Sequence, residues 1–137
     1  MMPVVLPARS ESRSRTKAPD RRAALARSRD LAISCARSCE DFRGKETIVL
    51  DVSHITPLFD YFVITTGTNP RQMTAIAEGA DVTMKEHDSP KIGVDGRDSS
   101  NWIVQDYGDV VLHVFSPDGR NQYGLEGLWG DAKRVDW

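Results

Sequence analysis

The sequence predicts an α/β fold in which a mixed five-stranded sheet is flanked by helices. Three observations carry that prediction. Short β-branched and aromatic runs read as strands, longer stretches carry apolar residues at helical spacing, and the two kinds alternate in the order helix, two strands, helix, three strands, helix. At 137 residues the chain has room for one such domain plus a tail. Its 39% apolar and 28% charged residues suit a soluble globular protein, and no window approaches the ~18 apolar residues of a membrane span.

Each element has a local reason. Residues 1–20 mix Pro, Ser and Arg without apolar periodicity and read as a disordered basic leader, followed by one domain over 21–137. Val4, Val5 and Leu6 make too short an apolar run for a secretory signal, whereas the Arg/Ser content is compatible with an organelle transit peptide. A helix is expected over 21–41, with Asp20 as N-cap, Gly44 as stop and Leu31, Cys35, Cys39 and Phe42 on one stripe. "TIVLDVS" (47–53) and "FDYFVITTG" (59–67) read as strands separated at Pro57. After Gly67, Asn69 caps a helix with Pro70 in its first turn, and Met73, Ile76, Ala77, Ala80 and Met84 form its inward stripe. Gly79 costs that helix ~1 kcal/mol relative to alanine. "KIGVDG" (91–96) is a short strand, and "NWIVQDYGDVVLHVFS" forms two strands hinged at residues 106–109, where Gly108 can supply a positive φ. Tyr123, Leu125, Leu128 and Trp129 then suggest a short C-terminal helix closing the sheet.

Charge is unevenly distributed. Residues 1–45 hold eleven Lys/Arg and five Asp/Glu, a net +6, while residues 46–137 hold seven and fifteen, a net −8. An acidic domain is poorly suited to gripping phosphates and well suited to a basic protein. Cys35 and Cys39, four apart in a helix, read as buried thiols on one face rather than a redox or zinc motif, which fits a reducing compartment.

The chemistry-bearing residues cluster around the hinge. Asp109 and His113 share one face of a strand, with Asp106 as the nearby third candidate for metal or proton-transfer chemistry. A lone strand histidine is more often a packed, hydrogen-bonded side chain. Trp102 opens its strand after the polar "RDSSN" and reads equally as core or as interface anchor. Tyr107, in the turn between Asp106 and Asp109, reads as an exposed binding knuckle. The strand–Gly67–Thr68–helix order is that of a phosphate-binding turn, but "KIGVDG" offers Asp95 alone where a D-x-D pair is needed, and no P-loop motif occurs. A metal-dependent nucleotidyltransferase or phosphoesterase using Asp106, Asp109 and His113 is therefore the alternative to a binding protein.

Taken together, "LDVS", "DYFVITTG", "RQMTAIAE", "WIVQDYGDVVLHVF" and "YGLEGLWGDA" closely resemble the Iojap-like ribosomal silencing factor family, in the same order and at similar spacing over about residues 31–137. The resemblance implies a nucleotidyltransferase-like topology without the catalytic carboxylates, no catalytic or metal-binding residues and no cofactor. It also implies binding to large-subunit ribosomal protein fourteen, where the bound factor blocks small-subunit joining and represses translation when nutrients are scarce. A homodimer and a bacterial cytoplasmic location follow from the same likeness; organelle relatives in mitochondria or plastids are linked to large-subunit assembly. Trp102, Asp106, Tyr107, Gly108, Asp109 and His113 match signature positions, and those that are exposed are the expected partner-binding residues. The chain departs from the family's pattern at Phe59–Asp60, at Asp95–Gly96 and at Gly124, where an acidic residue is common.

Overall fold

The computed structural model describes residues 18–97, 99–124, 127 and 129–137. In chain order these form α1 (Ala18–Asp41), β1 (Lys45–Asp51), β2 (Tyr61–Thr66), α2 (Pro70–Glu86), β3 (Gly93–Asp95), β4 (Trp102–Asp106), β5 (Val110–Phe115), α3 (Pro117–Tyr123) and β6 (Lys133–Arg134). The strands make one mixed sheet in the order β3-β4-β5-β2-β1-β6. Its centre is the parallel pair β2/β5, in register from Tyr61 opposite Val110 to Thr66 opposite Phe115. The other pairings are antiparallel. All five expected strands are present. The sixth, β6, has two residues, both exposed and charged, so neither alternation nor apolar content announces it.

Strand alternation separates two cores. Val49, Tyr61, Val63, Ile103, Leu112 and Val114 point to the face covered by α1 and α2, whose Leu31, Cys35, Cys39, Met73, Ile76 and Met84 are buried there. Ile48, Leu50, Phe62, Ile64, Trp102, Val104, Val111 and Phe115 point to the opposite face, joined by Phe59 and backed by Tyr123, Trp129 and Ala132. That second face is aromatic. Phe62 meets Trp129 edge-on at 5.0 Å between ring centres, and Trp102 lies 4.7 Å from Tyr123 and 4.8 Å from Phe115.

The helix ends show where residue chemistry sets the boundaries. Ala18, Pro19 and Asp20 are already helical, so Asp20 is not the cap and the helix extends back into the stretch read as leader; residues 1–17 lie outside the described residues. At the other end Arg43, not Gly44, takes the left-handed conformation, with φ 68°. The Arg43 and Gly44 amides donate to the Glu40 and Cys39 carbonyls at 2.9 and 2.8 Å, a Schellman closure. Gly44 is needed for a different reason: a Cβ there would collide with Thr65 Oγ1 and lie 2.9 Å from the Cys39 carbonyl. Phe42, expected on the inward stripe, lies past the helix end and is 45% exposed. Its ring covers Gly79 of α2, where any Cβ would strike it, which explains a glycine in mid-helix.

Helix α3, Pro117–Tyr123, is an addition to the expectations; the short C-terminal helix expected around Tyr123, Leu125, Leu128 and Trp129 falls largely outside the described residues. Ser116 caps α3 by accepting from the Gly119 amide at 2.9 Å, Pro117 begins it, and Gly124 ends it at φ 56°. The Gly124 departure from the family pattern therefore serves a left-handed cap. Gly96, at φ 73°, has the Trp102 carbonyl where a Cβ would stand. Gly96→Ala is expected to cost about 2–3 kcal/mol, measured by urea unfolding, because it combines positive-φ strain with a backbone clash.

Candidate functional site

The β4–β5 hinge that the sequence singles out is built by strand alternation continuing into the turn. Ile103, Gln105 and Tyr107 follow one another at period two and all face the helices; Trp102, Val104 and Asp106 face the aromatic core. Tyr107 is therefore 5% exposed, which corrects its reading as an exposed knuckle. Its hydroxyl accepts from Gln105 Nε2 at 2.7 Å and donates to Asp81 Oδ1 at 3.3 Å, while Gln105 Nε2 also donates to the Ala77 carbonyl at 3.1 Å. Burial, then the negative groups around it, raises the phenol's pKa well above its ordinary value, so it stays a neutral donor. Asp81 also receives Lys85 and Lys91 at 3.5 and 3.8 Å. Packing from α2 and the loop after it covers the turn: Ser89 Oγ donates to the Tyr107 carbonyl at 3.3 Å and the Ile92 amide to the Asp106 carbonyl at 2.7 Å.

The two turn aspartates are also tied into the fold, Asp106 through its carboxylate and Asp109 through its backbone. Asp106 is 1% exposed, and its Oδ1 accepts from the Gly108 amide at 2.8 Å, holding Gly108 at φ 102°. The Asp109 carbonyl accepts from both the Asp60 and Tyr61 amides, at 2.8 and 3.0 Å, tying the turn to the start of β2. Of the six residues, Asp109 alone is half-buried rather than buried.

His113 is fully buried among rings, with Phe62 edge-on at 4.8 Å. Trp102 Nε1 donates to its Nδ1 at 3.1 Å, and because an indole N–H only donates, Nδ1 must be the unprotonated nitrogen and Nε2 carries the hydrogen. Nε2 has no hydrogen-bond partner among the described residues. Desolvation lowers the imidazole's pKa to about 3, so it is neutral throughout the physiological range. Trp102 is 2% exposed, which settles it as core. His113 sits opposite Val104 and Asp106 opposite Val111, two register positions apart, with Asp109 beyond the strand end. Among the described residues no group of three His, Cys, Asp or Glu side chains is placed to hold a metal.

The glycine turn before α2 is likewise self-satisfied. Asn69 Oδ1 accepts from the Gln72 amide at 2.9 Å, and Gln72 Oε1 turns back to accept from the Thr68 amide and hydroxyl at 2.6 and 2.7 Å. The donors that would cradle a phosphate are used by the chain itself. Beside the hinge lies a cleft of about 390 Å³, bordered by Arg27 and Ser28 of α1, Asp88 and Ile92 of the loop after α2, and Tyr107 and Asp109.

The profile of the family described as "Ribosomal silencing factor during starvation" matches residues 25–137. The chain belongs to the ribosomal silencing factor family. A ribosomal silencing factor from Chromobacterium violaceum is 42% identical over 94 residues, covering 69% of this chain and 77% of that protein. One from Bacillus subtilis is 39% identical over 101 residues, covering 74% and 86%. A crystal structure from Chromobacterium violaceum is similar with a TM-score of 0.70 at 36% identity, over 82% of this chain and 91% of that one.

For this silencing-factor domain, the signature residues divide by burial. Trp102, Asp106, Tyr107, Gly108 and His113 are buried and hold the hinge together, and Asp109 reaches the cleft rim. Gln105, Asp81 and Ser89, the partners of Tyr107, carry no motif of their own. The signal that points to them is the unbroken period-two run Ile103, Gln105, Tyr107, which directs a polar pair toward the helices. No helix among the described residues is long and apolar enough to cross a membrane.

Proposed function

We propose that this chain represses translation by binding the large ribosomal subunit at its ribosomal protein fourteen and sterically preventing the small subunit from joining. The observation that carries this reading is the family match across residues 25–137. It is supported by the net −8 of residues 46–137, which suits a basic ribosomal protein. It is also supported by the burial of Asp106 and His113 and their engagement with the Gly108 amide and Trp102, so that of the three residues of the nucleotidyltransferase alternative Asp109 alone reaches the cleft. The mechanism is occupancy: about 800 Å² buried on one partner suffices for a specific complex, and overlap makes the two docking events mutually exclusive. No covalent step is involved, and the site of action is the bacterial cytoplasm.

Within this reading the buried signature residues act by holding the hinge, and contact is made at the cleft rim through Asp109 with the exposed Asp88 and Ile92; Ile92 is 59% exposed. Ile92→Glu is expected to weaken association at least ~10-fold without changing unfolding temperature, since it places a charge in the apolar part of the contact. The test is sedimentation of the protein with purified large subunits, adding small subunits last. Co-sedimentation that lowers the yield of joined ribosomes supports the reading, whereas joining at the full rate with the protein bound rejects occlusion and favours a role in subunit assembly. Sedimentation equilibrium of the free protein reports whether it forms the homodimer included in this reading.

A further inference from the structure

We infer that the loop joining β1 to β2, residues 52–60, belongs to the surface this chain presents to the large subunit, and that it adds an apolar contact to the acidic cleft rim. The inference deepens the large-subunit reading above and rests on it. The occupant is a basic protein surface with an apolar patch among its charges.

The placement of exposed apolar side chains carries the inference. Among the described residues the large apolar side chains left exposed are Phe42, Ile55, Leu58, Val82 and Ile92. Single exposed apolar residues are ordinary, but three of these five stand on two loops at one end of the sheet. At that end Gly93 pairs with Asp106, Asp106 with Val111, Val110 with Tyr61 and Tyr61 with Asp51. Ile92 comes just before the first of these strand ends, and Ile55 and Leu58 bridge the last two. Four strand spacings separate β3 from β1, about 19 Å in all, which is within the breadth of a face that buries about 800 Å².

The loop is built to display these side chains. Val52 and Phe59 are buried and pin its two ends to the aromatic core, while Leu58 between them is 53% exposed. Its backbone is satisfied locally: the Ile55 and Thr56 amides donate to the Val52 carbonyl at 3.0 and 3.1 Å, and the Leu58 amide to Thr56 Oγ1 at 3.1 Å. Ser53 donates through both amide and hydroxyl to Asp51 Oδ1, at 2.9 and 2.7 Å. The Val52 amide closes the loop on the Asp60 carbonyl at 2.9 Å, and the Asp60 amide is bonded in turn to Asp109 at the cleft rim. Loop and rim form one preorganised unit, so binding needs little further ordering.

Charge selects the occupant. Asp51, Asp88, Asp109 and Asp131 border the surface. Of the bases nearby, Arg21 is paired with the buried Asp60 at 3.7 Å, and Lys91 with Asp81 at 3.8 Å. Arg27 donates to the His87 and Asp88 carbonyls at 3.5 and 3.4 Å, and Lys133 stands opposite Asp51 across the β1/β6 pair. Nucleic-acid phosphate would meet carboxylates here, and a second copy docked about a two-fold axis would set these carboxylates against their own equivalents. A basic protein meets apolar side chains at the centre and opposite charge at the border.

The experiment measures the affinity of the full chain for purified large subunits by sedimentation, comparing the parent, an Ile55→Gln and Leu58→Gln double variant, and Val82→Gln on α2. Glutamine removes apolar surface without adding charge. The double variant is expected to bind at least ~10-fold more weakly at an unchanged unfolding temperature. That deficit should persist as salt is raised from about 50 to 200 mM, because apolar burial is not screened. Val82→Gln is expected to bind as the parent does. If the pair lowers the unfolding temperature, Leu58→Gln alone supplies the reading, at roughly 3-fold. Parent binding that the loop variants leave unchanged, or an equal loss in Val82→Gln, overturns the inference and leaves the large-subunit reading standing. A parent that does not bind large subunits defeats that reading and the inference with it. A parent dimer that the double variant converts to monomer, with subunit binding intact, assigns the loop to the contact between copies and overturns the inference as well.

Discussion

Tyr107→Ala is expected to destabilise the domain by about 3–5 kcal/mol, with Tyr107→Phe costing only about 1 kcal/mol. The alanine removes a ring that is 5% exposed in the core between the sheet and both helices, leaving a cavity bounded by elements already fixed by other contacts. Phenylalanine keeps the ring and loses only the hydroxyl. Gln105 Nε2 retains the Ala77 carbonyl and Asp81 retains Lys85 and Lys91, so neither polar partner is stranded. Urea unfolding of the two variants measures the difference. A Tyr107→Ala protein as stable as the parent would contradict the buried placement, and reduced ribosome binding in that variant has to be corrected for its unfolded fraction before it is read as a lost contact.

The second large effect is a loss of stability in acid caused by His113. Its folded pKa, held by burial at about 3, lies below the ordinary value of 6.5, so in the window between them the unfolded chain takes up a proton that the folded chain refuses. The associated stability is fully present above pH 6.5, falls by about 3 kcal/mol by roughly pH 4.5, and approaches a total loss of about 5 kcal/mol near pH 3. Protonation would also consume the Nδ1 lone pair that receives Trp102 Nε1, so the charged ring would face an indole donor amid apolar neighbours. His113→Asn offers that indole an acceptor and does not titrate. It should be less stable than the parent at pH 7.5, and the gap should narrow by about 3 kcal/mol on going to pH 4.5. Parallel stability curves for the two proteins would show that the acid sensitivity lies elsewhere.

Much of the fold is legible because its signals are local. Asn69 and Pro70 mark the start of α2, and its five-residue apolar stripe is the buried one. The alternation of Val110, Leu112 and Val114 against Val111 and His113 correctly separates the two sheet faces. The misreadings arise where tertiary packing decides. A turn between strands is ordinarily wet, but the loop after α2 folds over residues 106–109, so Tyr107 is interior. Trp102 follows a polar stretch yet meets the second aromatic layer, which comes from residues far along the chain. Helix α3 went unread because its signal is the Ser116–Pro117 start, not apolar periodicity. At the candidate site, residue types identified the hinge correctly; which of its side chains remain accessible depended on neighbours that sequence spacing does not place.

The parallel pairing of β2 with β5 also bears on how the domain assembles in time. β4 and β5 are adjacent in the chain and can close early as a hairpin, whereas β2 reaches its partner only after the whole of α2, β3 and β4 has been accommodated between them. Loop closure then precedes the reward of the central contacts, and unpaired edges of β2 and of the hairpin stay open while the search continues. Refolding should accordingly be slower than for a helical domain of this size. A concentration-dependent loss of yield should set in before the central register forms, and the aggregating species should present residues 61–66, the most continuously apolar strand in the chain.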